Sequence, residues 1–71
     1  MRSQEIYFVI ISLRKKIRGK SVISRTYENY EKARLAFVGA TKKKNVDRVD
    51  LYGSNADGSK QHIMQWDRDP T

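Results

Sequence analysis

From Gln4 to Leu13 both alternating sets of side chains are apolar. Ile6, Phe8 and Ile10 fall on one side of an extended chain, and Tyr7, Val9, Ile11 and Leu13 on the other. A strand apolar on both sides predicts a central position in a sheet, with something covering each face. The clustering of Ile, Val, Tyr and Phe favours strand over helix. A second run, Lys20–Tyr27, is half polar and reads as an edge strand. Gly19 marks a turn between the two, so they predict a hairpin.

The period changes after Asn29. Tyr30, Ala33, Phe37 and Ala40 recur at the spacing of one buried helix stripe, predicting a helix over Tyr30–Lys44. Asn29 suits its N-cap. Glu28 and Glu31 near its start, and Lys42, Lys43 and Lys44 near its end, suit the helix dipole. Leu35 falls opposite the stripe and Val38 on its flank. Gly39 costs the helix about 1 kcal/mol relative to Ala and weakens its last turn. Asn45 reads as its end. From Val46 to Tyr52 the chain alternates again, with Val49 and Leu51 inward and Arg48, Asp50 and Tyr52 outward. Gly53–Ser59 reads as a loop, with Asp57-Gly58 as its turn signal. Lys60–Trp66 reads as a last strand, where Met64 and Trp66 alternate with Ile63 and Gln65 and Trp66 reads as packing. Residues 1–3 and 67–71 are expected to fray.

These elements predict a single α+β domain of order ββαββ, with a four-stranded, mainly antiparallel sheet and one helix on one face. Strand order 2-1-3-4 makes every neighbouring pair antiparallel and puts the doubly apolar first strand inside. If the chain reverses at each connection, residues 14–20 and 42–44 meet at one end of the domain. The Gly53–Ser59 loop then lies at the other.

Composition narrows the class. The chain has 71 residues, enough for one domain. It has no cysteine, which removes disulfides and thiolate metal sites and favours an intracellular setting. The apolar run Ile6–Ile11 is far short of the ~20 residues that span a bilayer. Its flanks do not read as a signal peptide. A cytoplasmic protein that does not engage membranes is the expectation.

The formal net charge is +7, and it is unevenly placed. Residues 1–45 carry twelve Lys/Arg against three Glu, and residues 46–71 carry three Lys/Arg against five Asp. Arg14, Lys15, Lys16, Arg18 and Lys20 crowd the hairpin tip with no acid among them. A surface of this kind attracts phosphates or acidic proteins.

No catalytic grouping stands out. His62 is the single histidine, no glycine-framed serine marks a nucleophile elbow, and no Gly-rich phosphate loop exists. Glu31, Asp47 and Asp50 lack the spacing of a paired acid/base site. The expectation is a non-enzymatic protein without cofactor or metal.

The basic clusters predict binding to the phosphate backbone of DNA or RNA. Arg14, Lys15, Lys16, Arg18 and Lys20 would make the contacts, Lys42, Lys43 and Lys44 would support them, and Arg25 is a weaker candidate. The alternative is an inhibitor or adaptor that engages an acidic protein surface. The uncovered sheet face adds a third expectation, a homodimer or partner interface through Tyr7, Val9, Ile11 and Tyr52, with Phe8 and Ile10 as the other set the first strand could present. The RNP consensus of single-strand RNA readers is absent.

Overall fold

A computed structural model of the chain describes residues 6–55 and 57–68. It contains β1 (Tyr7–Ile17), β2 (Lys20–Tyr27), α1 (Tyr30–Thr41), β3 (Val46–Ser54) and β4 (Lys60–Asp67). The strands form one sheet in the order β2-β1-β3-β4, with every pair antiparallel. The fold is therefore the α+β, ββαββ arrangement that the hydrophobic pattern implies.

Register decides which side of β1 the helix covers. Residues directly opposite one another in an antiparallel pair point to the same face. Val9 stands opposite Leu51 and Arg25, and Ile11 opposite Val49 and Ile23. Val9, Val49 and Leu51 are wholly buried, as is Ala33 of α1, and Phe37 and Ala40 of α1 are nearly so. Tyr7, Ile11, Leu13, Tyr27, Met64 and Trp66 pack around that core. Tyr7, Val9 and Ile11 thus lie under the helix, which corrects their expected place on an open interface. Both faces of β1 are apolar, so β1 alone leaves the choice open; the inward pair Val49 and Leu51 of β3 makes it. The uncovered face carries Phe8 opposite Tyr52, and Ile10 opposite Asp50.

The Asn29 side chain caps α1, accepting from the backbone N–H of Glu31 at 2.7 Å and of Lys32 at 3.4 Å. The helix ends at Thr41, three residues short of Lys44. Its exit is a tight turn, in which Lys42 and Lys43 donate backbone N–H groups to the carbonyls of Gly39 and Ala40. The lysine trio therefore belongs to the connection into β3 and not to the last helical turn.

Three other boundaries move outward. β1 continues through the basic residues to Ile17, β3 runs on to Ser54, and β4 includes Asp67. Of the residues expected to fray, Asp67 closes β4 and Arg68 makes hydrogen bonds back to the sheet. Arg68 donates its backbone N–H to the Asp47 carbonyl at 2.8 Å and its Nε to the Val46 carbonyl at 2.8 Å. Its guanidinium also bonds the Lys43 carbonyl and lies over the Trp66 ring. Residues 1–3 and 69–71 lie outside the described residues.

Candidate nucleic-acid interface

The hairpin closes through Arg18 and Gly19, the two residues between the paired Ile17 and Lys20. Both have positive φ, 52° and 80°. This is the pattern of a type I′ turn, whose twist matches that of the flanking strands. Gly19 takes that conformation freely, whereas for an arginine it is a strained one. Residues 14–22 are all exposed.

The strand leading into this turn is irregular. Between the pairs Ser12–Val22 and Ile17–Lys20, β1 advances five residues while β2 advances two. Pairing of β1 with β3 ends at Leu13–Val46. The surplus residues of β1 turn toward the start of β3. Arg14 donates its backbone N–H to the Asn45 carbonyl at 2.7 Å. Lys15 donates its N–H to Asn45 Oδ1 at 2.9 Å, and Asn45 Nδ2 donates to the Lys15 carbonyl at 3.1 Å. Asn45 directly follows Lys42, Lys43 and Lys44. Two hydrogen bonds through its side chain therefore tie the base of the basic arm to the residue next to the lysine trio.

The charges at this end are mostly unspent. Arg14 Nε lies 3.1 Å from Asp47 Oδ1, an exposed pair of small energetic weight. Lys15, Lys16, Arg18, Lys20, Lys42, Lys43 and Lys44 are exposed, and among the described residues none of them makes an ion pair. Arg25 does not join the arm. It stands opposite Val9, on the helix side of β2. Sequence reasoning took Asn45 for a helix terminator and missed its role as the tie; its place directly after the lysine trio was the available signal.

The uncovered sheet face is less apolar than the sequence suggested. Asp50 is buried there, only 5% exposed. It accepts from Arg48 Nε at 3.0 Å and lies 3.1 Å from His62 Nε2. Arg48 also approaches Asp67 at 3.9 Å. The hydrogen bond that Arg48 donates to Asp50, with the carboxylate's charge second, raises the Arg48 guanidinium above its ordinary pKa. Tyr52 lies against the His62 ring, with centroids 4.9 Å apart, and Lys60 sits over Phe8 at 4.7 Å. This network uses its own charges internally. Among the described residues no group of three His, Cys, Asp or Glu could hold a metal ion. Among the described residues no helix is long and apolar enough to cross a membrane.

Comparison with protein-family models, with curated proteins and with solved structures returned no match for this chain.

Proposed function

We propose that this chain is a small, non-enzymatic nucleic-acid-binding protein of the cytoplasm. It grips the phosphate backbone with the hairpin arm, through Lys15, Lys16, Arg18 and Lys20, and with Lys42, Lys43 and Lys44. Arg14 joins them when a phosphate displaces Asp47. The observation that carries this reading is the Asn45 tie, which supports two basic segments distant in sequence acting as one surface. The strained Arg18 adds to it. Asn or Gly would serve a type I′ turn better, so an arginine at the apex is a residue kept for its charge. A two-stranded ribbon of this kind can lie along or enter a duplex groove.

The test is a titration of labelled duplex and single-stranded DNA and RNA. The reading expects weak, sequence-tolerant binding, with Kd on the order of 10⁻⁴–10⁻⁶ M at physiological salt, tightening as salt falls. No binding at either salt would remove it.

A second reading rests on Ile17 and Val22. These apolar side chains on the arm are 48% and 50% exposed. They suit an acidic protein surface that also offers apolar contacts. That reading expects a stoichiometric protein partner that survives nuclease treatment and is lost in Lys15→Glu/Lys16→Glu.

A further inference from the structure

Between α1 and the hairpin lies an open groove of about 400 Å³. Its walls are Ile11 and Ile17 of β1 and Ile23 of β2, and its helix side is made of Ala36, Gly39 and Ala40. The gap has a local cause. α1 packs chiefly on β3 and β1, and toward β2 it offers only small residues. Folded interiors are ordinarily filled to crystal-like density, so an apolar trough left open is a place where contacts are missing.

Two residues in this groove are not explained by the fold. Gly39 costs the helix about 1 kcal/mol relative to Ala. Nothing in the chain requires its smallness, because a Cβ added there would meet no atom within 4 Å. Arg25 occupies a helix-side position of β2, between Ile23 and Tyr27 in the alternation, where an apolar residue would ordinarily stand. Among the described residues Arg25 makes no ion pair, and Lys43, also at the groove, makes none. The first residue leaves clearance for an occupant; the second supplies a positive charge beside an apolar wall.

We propose that this groove is a binding site for a small anionic amphiphile, a molecule with an apolar chain ending in a carboxylate. The chain lies over Ala36, Gly39 and Ala40 against Ile11 and Ile23, and the carboxylate meets Arg25. The volume falls in the lower part of the range of about 300–1,000 Å³ typical of small-ligand sites. A protein partner would need roughly 800 Å² on this side alone, more than such a trough supplies. Its head-group contact, Arg25, lies outside the proposed nucleic-acid surface, so the site stands or falls separately from that reading.

Dodecanoate, kept below its micelle-forming concentration, is titrated into the full chain by calorimetry and followed by methyl NMR. The expected result is saturable one-to-one binding, with shifts confined to the methyls of Ala36, Ala40, Ile11 and Ile23. Dodecyltrimethylammonium, with the opposite head charge, does not bind. Gly39→Leu fills the groove and abolishes binding while thermal stability is kept or raised. Arg25→Gln weakens binding about tenfold or more, the value of a charge-assisted hydrogen bond. Absence of saturable binding would overturn the proposal. So would equal binding by the cationic amphiphile, or binding unchanged in Arg25→Gln or in a folded Gly39→Leu.

Discussion

Single side chains here do separable work, and each can be removed alone. Asn29 caps α1 through one carboxamide oxygen shared by two N–H donors. Asn29→Ala is expected to cost about 1 kcal/mol, read as a lowered midpoint in chemical denaturation. Asp57 is a different case. The Ser59 hydroxyl, and after it the Ser59 backbone N–H, holds the Asp57 carboxyl below its ordinary pKa. A depressed carboxyl stabilises the folded state at pH values above its unfolded pKa. That contribution is lost as pH falls through the lower, folded value. Ser59→Ala is therefore expected to raise the Asp57 pKa toward the ordinary carboxylate value, measured by NMR titration of its side-chain carbon. An unmoved titration would mean that the hydroxyl is not the cause.

At the scale of elements, the hairpin arm sets stability against charge. Arg18 sits at φ 52°, where Asn is tolerated better. Arg18→Asn is expected to stabilise the domain by roughly 0.5–1 kcal/mol while weakening nucleic-acid binding. Opposite movement of melting temperature and affinity would separate a residue kept for binding from one kept for folding. The elements are legible in the sequence: β1 by its run of Ile, Val, Tyr and Phe, β3 by its alternation, and α1 by the stripe Tyr30, Ala33, Phe37 and Ala40, of which Tyr30 alone is exposed. α1 ends three residues before the pattern predicts. Lys42, Lys43 and Lys44 suit the dipole of a longer helix, but the tight turn from Gly39 and Ala40 closes it first. β1 outruns its predicted end at Leu13 for a related reason. Its apolar pattern stops at Leu13, whereas hydrogen bonds to Asn45 continue beyond it, from Arg14 to the Asn45 backbone and between Lys15 and the Asn45 side chain. Hydrophobic periodicity carries no information about a strand that is held by hydrogen bonds and faces water on both sides. The buried Asp50 was hidden for a similar reason, since an outward position in an alternating strand gives no sign that Arg48 and His62 will cover it.

For the whole molecule, the proposed interface depends on chain direction more than on any motif. Reversal at each connection brings β1's far end, α1's exit and β3's start to one pole, and Asn45 locks that meeting. Asn45→Ala removes both side-chain bonds and leaves every cation in place. It is expected to reduce nucleic-acid affinity by loosening the arm, with the number of phosphates contacted unchanged and hence the same salt slope. The most direct measurement of the central claim is the salt dependence of binding to a short DNA duplex. It compares the unaltered chain, Lys15→Gln/Lys16→Gln, Lys43→Gln/Lys44→Gln and the four-site combination. The account predicts that each pair makes the negative slope of log K against log salt shallower by roughly 1.8, about 0.9 per lost phosphate contact, and that the combination makes it shallower still. A slope left unchanged by Lys43→Gln/Lys44→Gln, with the arm variant losing all of the binding, would contradict it, because the two segments would then not form one surface.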